Sequence, residues 1–405
     1  MRPETPESPT AQLPEEWNQE LLQSYTEVAE LLKNRLISEK EAQNLAAIGA
    51  EFKVRITPYY SRLFSKEPDC PIRIQAIPHL GENDPKLPDE VSELCQKIYG
   101  RATPWHRDAI GDLRNLATPR LTHRYENRAI LHLSSLCAVY CRFCFRKSHL
   151  NDQEKHLYEG SLESAFKYLE NKPEIREVIL TGGDPLSVKD AVLAQHFQRI
   201  SKIPHIRSVR IHSRMAVTLP SRFTSSLLEV LGRDWGFQIH LVSHFNHTRE
   251  LTAEARGALR RVSRRGITLL NQSVLLKGVN DSVEILQELF QGLYEMGVIP
   301  FYLHHPDWTP GTFHFRRSIE EGVQLVSELR GKIAGPSMPQ YILDIPQGYG
   351  KISLLDPKVR KIRDLVFSDE DRKFQMGGAV YEIKEPATRV EKGGSHLYLD
   401  LYPRS

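Results

Sequence analysis

Five short β-branched runs recur at a nearly constant interval: EVILT from Glu177, RSVRIHS from Arg207, FQIHLVS from Phe237, ITLLNQS from Ile267 and IPFYLH from Ile299. Successive starts lie 30, 30, 30 and 32 residues apart. A hairpin joins two strands with a handful of residues, whereas gaps this long hold a helix, so strand and helix alternate in parallel βαβ units. The intervening segments 188–201, 222–233, 249–264 and 283–296 space their apolar residues helically, as do 161–171 and 317–331. AILHLSS from Ala129 precedes the series and QYILDI at 340–345 follows it. The expected fold class is α/β: a partial or full (β/α) barrel of about six βα units, with a doubly wound open sheet as the structural alternative.

The flanks are less regular. Residues 1–12, which begin MRPETPESPT, read as a disordered tail. Residues 13–120 read as an N-terminal helical region: Trp17, Leu21, Leu22, Tyr25, Val28, Leu31 and Leu32 fall at helical spacing, and further helices are expected over 88–100 and 104–115. The barrel core is placed at 121–345. Residues 346–405 form a short C-terminal extension, whose GGAVYEIKEP and HLYLDLYP lie outside the barrel, where they could pair subunits of a homo-oligomer.

A chain of 405 residues with 40% hydrophobic and 26% charged content can bury a large core. A net charge of +3 is too small at this length to argue for a nucleic-acid or membrane surface, and no apolar run approaches a membrane span. The polar start resembles neither a secretory nor a transit peptide. Of the five cysteines, Cys70 and Cys95 are scattered and three are clustered, which is no disulfide framework; the reducing cytoplasm is the expected compartment.

The clustered three, Cys137, Cys141 and Cys144, stand in CAVYCRFCFRK with the spacing C-x3-C-x2-C directly after the first strand. Thiolates this close can hold three irons of a four-iron cluster and leave the fourth open to another ligand. A structural zinc site with His149 as fourth ligand, or three unmetallated thiols, fits the same spacing. Other polar residues gather where strands end. Gly182, Gly183 and Asp184 close the second strand in TGGDP, Arg214 follows the third, and His244 and His247 follow the fourth. Asn271 and Gln272 end the fifth, His304, His305 and Asp307 follow the sixth, and Asp344 closes the last strand, seven residues before Lys351 in DIPQGYGK. Each has a plain explanation: a turn glycine, a helix cap, a satisfied core polar, a solvated lysine. Together they occupy the C-terminal ends of the strands, the face where barrel active sites form.

The strings HRYENRAILHLSSLCAVYCRFCFRK, ILTGGDPL, HSRMAVTLP, HFNH, LNQSVLLKGVND, FYLHHPD, FHFRR and LDIPQGYGK, in that order, resemble the lysine 2,3-aminomutase family of the radical S-adenosylmethionine superfamily, from about Arg120 to about Lys351. The resemblance implies an isomerase that moves the α-amino group of L-lysine, or a close cationic relative, to the β-carbon. It implies a [4Fe-4S] cluster on Cys137, Cys141 and Cys144, and S-adenosylmethionine against Gly182, Gly183, Asp184, His244 and Gln272. Pyridoxal phosphate would be carried by Lys351 among Arg124, Arg128 and, as a third, Arg214. Arg146 would pair with the substrate carboxylate, and Asp307 with Asp344 would hold a side-chain ammonium. An electron donor such as flavodoxin or ferredoxin is implied as well.

Three departures stand out. The loop before Lys351 reads PQGYG rather than an uninterrupted glycine run, which puts Gln347 and Tyr349 beside the cofactor. The extra cysteines that bind structural zinc in some members are absent, so no zinc is expected. His304 stands where the lysine enzymes often carry tyrosine. Members that act on elongation factor P often have histidine there but lack the acid seen at Asp344. Modification of that factor, or of its lysine donor, is therefore the alternative enzyme reading. A zinc-stabilised binding protein on an old barrel is the non-enzymatic one.

Overall fold

The computed structural model describes residues 16–48, 53–151, 157–365, 376–384 and 395–403. The expected tail at 1–12 lies outside them. Ten strands form one sheet whose order follows the chain: β1 (Leu116–Thr118), β2 (Leu121–Tyr125), β3 (Arg128–Ser134), β4 (Glu177–Gly182), β5 (Ser208–His212), β6 (Gln238–Ser243), β7 (Thr268–Val274), β8 (Ile299–His304), β9 (Gln340–Ile345) and β10 (Gly350–Ser353). Every pairing from β3 to β9 is parallel, whereas β1 with β2, β2 with β3 and β9 with β10 are antiparallel. A doubly wound sheet reverses its strand order partway along; this one never does. β1 and β10 do not pair, so the barrel is partial. Its seam is crossed by other contacts: the Lys351 N–H donates to the Tyr125 hydroxyl at 2.9 Å, and the Gln347 N–H to the Ala109 carbonyl at 3.2 Å.

The period-two alternation of the strands divides their side chains. Val178, Leu180, Val209, Ile211, Leu241, Leu269 and Leu303 face outward and are buried beneath the helices. The alternate residues, among them Thr181, Arg210, His212, His240, Gln272, Tyr302 and His304, face a cavity inside the curl. The six crossover helices run Leu162–Glu170, Asp190–Ile200, Ser225–Gly232, Ala253–Ser263, Val283–Glu295 and Ile319–Leu329. Most begin where a Ser or Thr side chain accepts a free backbone N–H: Ser161, Thr224, Thr252, Ser282 and Ser318.

Two expectations need correction. Residues 104–115 form turns, not a helix, because the buried Asp108 carboxylate takes the N–H groups of Asp112 (2.7 Å), Leu113 (3.0 Å) and Arg114 (3.3 Å), and Gly111 sits at φ +70°. The N-terminal region also contributes β1, and the residues just after it form β2, neither of which the helical reading included. At the other end, β11 (Val359–Asp364), β12 (Met376–Lys384) and β13 (Ser395–Pro403) make a separate antiparallel sheet. Tyr398–Leu401 are buried against their own chain: Trp308 donates to the Leu399 carbonyl at 3.1 Å and Arg316 to the Leu401 carbonyl at 2.9 Å. Among the described residues no helix is long and apolar enough to cross a membrane.

Candidate active site

All fifteen site residues expected from the sequence line one cavity of about 590 Å³ inside the curl, a volume typical of a small-molecule site. They divide between two ends.

The cysteine end is built by the loop after β3. That loop is clamped from the N-terminal region: the Tyr140 N–H donates to the Arg55 carbonyl at 3.0 Å and the Arg142 N–H to the Gln75 carbonyl at 2.9 Å. The Arg142 guanidinium forks onto the buried Glu82 carboxylate at 2.8 and 2.5 Å, and Lys147 adds a third contact to Glu82 at 3.4 Å. Cys137, Cys141 and Cys144 reach the cavity from this braced loop. Burial, reinforced by the nearby Asp184 charge, pushes the Cys137 thiol well up; burial and the neighbouring Cys141 push Cys144 up to about 11. His149, the alternative zinc ligand, lies within electrostatic reach of Asp108.

Gly182 and Gly183 serve close packing. A Cβ on Gly182 would lie 2.3 Å from the Ser134 carbonyl oxygen, and one on Gly183 would lie 2.6 Å from that of Leu136. The Gly183 N–H donates to the Ser134 carbonyl at 2.6 Å and the Asp184 N–H to the Leu136 carbonyl at 2.8 Å, locking β4 against the cysteine loop. The Asp184 carboxylate accepts from Leu186, Ser213 and the Arg214 N–H, and burial raises it to about 6. The His244 ring stacks on Phe143 with centroids 5.4 Å apart. Burial, then the Arg214 charge, keep it neutral.

Lys351 marks the opposite end. Its register partner on β9 is Asp344, whose carboxylate contacts the Lys351 ammonium and also meets Arg124 Nη1 at 3.4 Å and His304 Nδ1 at 3.5 Å. Burial pushes Asp344 up, but the Lys351 charge, the His304 contact and Arg124 outweigh it and hold the acid below the usual carboxylate range. Asp307 goes the other way: burial first, then the Asp344 charge, raise it to about 8. Arg128 stacks on the Tyr125 ring at 3.8 Å. Arg146 donates to Asp112 at 2.8 Å and to Thr181 at 3.1 Å.

Arg214 departs from its expected place. Its guanidinium is held at the cysteine end by Cys141, Tyr60, Gln75 and Glu250, so it does not join Arg124 and Arg128 beside Lys351. Sequence reasoning also missed Asp112, hidden in the supposed helix, and His212, which ends β5 as the other candidates end their strands and bonds Gln272 at 3.2 Å. His244 Nε2, His212 Nε2 and Arg124 Nε are buried with no partner among the described residues, though their side chains line the cavity. Buried polar atoms are normally satisfied. Three thiols at one end and unpaired donors along the wall fit a cluster and polar organic ligands.

The Radical SAM superfamily model matches residues 131–289, which include the three cysteines, TGGD, His244 and Gln272. L-lysine 2,3-aminomutase of Fusobacterium nucleatum is 34% identical over 345 residues, 84% of this chain and 77% of that one. A protein of Aquifex aeolicus that bears the same name provisionally is 36% identical over 91% of this chain and 95% of its own. The chain belongs to the lysine 2,3-aminomutase family. It is a radical SAM isomerase, and its domain implies a four-iron cluster and S-adenosylmethionine. Glutamate 2,3-aminomutase of Clostridioides difficile is 32% identical over 84% of this chain and 77% of that one. Membership in this lysine 2,3-aminomutase family therefore leaves the substrate to be argued from the site.

Proposed function

We propose that this aminomutase moves the α-amino group of free L-lysine to the β-carbon, with pyridoxal phosphate carried by Lys351. The supporting observation is the pair of acids, Asp344 and Asp307, at the Lys351 end of the cavity. Here the Lys351 ammonium is the counter-ion of Asp344. Once that nitrogen is committed to a cofactor, Asp344 and Asp307 need another cation, and a lysine side chain supplies one. A glutamate side chain would instead set a second negative charge beside the ionised Asp344. Like charges 4 Å apart in an effective dielectric near 20 repel by about 4 kcal/mol, about a thousandfold in affinity.

The remaining roles follow the two ends of the cavity. Cys137, Cys141 and Cys144 would hold the cluster, and Gly182, Gly183, Asp184, His244 and Gln272 would enclose S-adenosylmethionine. Arg124 and Arg128 would balance the cofactor phosphate. Arg146, already oriented by Asp112 and Thr181, would receive the substrate carboxylate. When bound, the cluster supplies the electron that cleaves S-adenosylmethionine, and pyridoxal phosphate carries the migrating nitrogen. The protein fixes the amino acid between them and keeps water away.

The test is anaerobic turnover of free lysine, arginine, ornithine and glutamate, and of elongation factor P, by reconstituted enzyme. β-Lysine from free lysine, with no glutamate turnover, is expected. Modification of the factor without turnover of free lysine would replace this reading by the alternative.

A further inference from the structure

Arg214 is fixed from several directions. Its Nη2 donates to Glu250 Oε1 at 2.7 Å, Gln75 Oε1 at 2.7 Å and the Tyr60 hydroxyl at 3.1 Å. Its Nε donates to the His244 carbonyl at 3.3 Å, and its backbone N–H to Asp184 at 2.8 Å. Glu250 is fully buried and uses its other oxygen to accept the Asn246 and His247 N–H groups at 2.6 and 3.1 Å. The guanidinium also packs on Phe143 and Tyr60, 5.2 and 5.4 Å from the ring centroids. The anchors come from the N-terminal region and from the ends of three strands, so the side chain has no freedom to swing to Lys351. The remaining nitrogen, Nη1, points at Cys141 Sγ at 2.8 Å. Among the described residues no arginine or lysine side chain donates to Cys137 or Cys144 in this way; Cys144 takes the backbone N–H of Arg146 instead.

We propose that Arg214 is a positioning residue for the iron–sulfur cluster: a fixed cationic donor to Cys141 alone, which raises the cluster's reduction potential and makes one of its corners electronically distinct. This rests on the reading that the three cysteines hold the cluster. Hydrogen bonds to cluster sulfurs are among the levers that set the potential, and a partner behind a metal ligand tunes that ligand. A nearby positive charge favours the reduced form, which carries one more electron. The neutral or aliphatic side chain of a substitute would withdraw that help. Arginine suits the task because its planar fork serves Glu250 and Cys141 together, which a lysine ammonium cannot do with the same geometry.

The experiment compares wild type, Arg214→Lys and Arg214→Met after anaerobic reconstitution, measuring iron per chain and the midpoint of the reduced-cluster EPR signal. Iron is expected to stay at about four per chain, with the midpoint moving negative in Arg214→Met and less so in Arg214→Lys. Pulsed EPR on wild type labelled with 15N only at the arginine guanidinium nitrogens is expected to show a nitrogen coupling to the reduced cluster that both variants lose. Full iron with an unchanged midpoint and no arginine coupling overturns the inference while leaving the cluster assignment intact. Wild type that takes up no iron overturns the assignment itself. If the methionine variant fails to fold, the lysine variant and the wild-type coupling decide the matter.

Discussion

Replacing Asp344 with asparagine should ionise Asp307. Both acids line the Lys351 end of the cavity, yet they are driven apart: Asp344 is held low by Lys351, His304 and Arg124 against its burial, whereas burial and the Asp344 charge raise Asp307 to about 8. At pH 7 an acid with a pKa of about 8 is roughly nine-tenths protonated. The substitution removes the second of those two upward pushes and frees Lys351 and Arg124 to act on Asp307. A like charge at 4 Å is worth about 4 kcal/mol in an effective dielectric near 20, and half of that is about 1.5 pH units. The Asp307 midpoint should therefore fall by at least ~1 unit, to neutral pH or below. Infrared spectroscopy of the protonated carboxyl band against pH reads this directly. Wild type should show a band that titrates near 8, Asp307→Asn should lack it, and Asp344→Asn should lose it at lower pH. An unmoved midpoint in Asp344→Asn would mean that burial alone sets Asp307, and the account of a shared cation site would fail. The linkage has a definite sign. The native state holds an extra proton on Asp307 between the ordinary carboxylate range and about 8, so this acid's contribution to stability declines as pH rises through that window. Asp344 contributes in the opposite sense: its stabilisation is present above the ordinary range and is lost only in acid.

Lys351→Ala should abolish the borohydride-fixable attachment of pyridoxal phosphate without changing bound iron; a persisting adduct contradicts the assignment. Glu82→Gln strands the buried Arg142 and Lys147 cations and should cost about 3–5 kcal/mol in urea unfolding, with poorer iron uptake. A loss below about 1 kcal/mol would show the clamp to be dispensable. Gly183→Ala places a Cβ 2.6 Å from the Leu136 oxygen, so β4 or the cysteine loop must shift; iron content should drop, and unchanged iron with unchanged stability refutes the packing argument. Asp400→Asn removes the charge of a fully buried carboxylate and replaces one of its two acceptor oxygens, which serve the Ile319 N–H on one side and face Arg316 and His305 on the other, with an NH2 donor. This network flanks Asp307, so the KM for lysine should rise several-fold while iron content stays constant; equal losses in both would make Asp400 a general fold determinant.

The barrel strands were legible because each must alternate between a helix-covered face and a cavity, and the interval between strands is set by the length of one crossover helix. Runs such as RSVRIHS carry both messages: Val209 and Ile211 face the helices, while Arg210 and His212 face the cavity. Residues at strand ends were found by that same logic. His212 carried the signal and was overlooked, whereas Asp112 carried none, since its segment imitates a helix until Asp108 captures the backbone N–H groups. Arg214 was misplaced for a related reason. A strand end shows that a side chain enters the cavity, but not toward which end its guanidinium turns.

What decides that direction is a set of partners from a region with no period. Tyr60 and Gln75 hold Arg214, and Glu82 holds Arg142 between two of the cysteines, each across dozens of residues of chain. Locally Glu82 reads as nothing more than the capping partner of His79, a role it also fills. A buried carboxylate that faces Arg142 and Lys147 cannot be told from an exposed helix cap without the fold. The N-terminal region therefore looks like a passive cover in sequence, while physically it sets the orientation of the loop on which the chemistry depends. If so, damage to Glu82 or Gln75, far from every motif in the chain, should disturb the cluster before it disturbs the barrel. Iron release at a denaturant concentration that leaves far-ultraviolet ellipticity intact is the expected signature, and simultaneous loss of both would assign these residues to the fold as a whole.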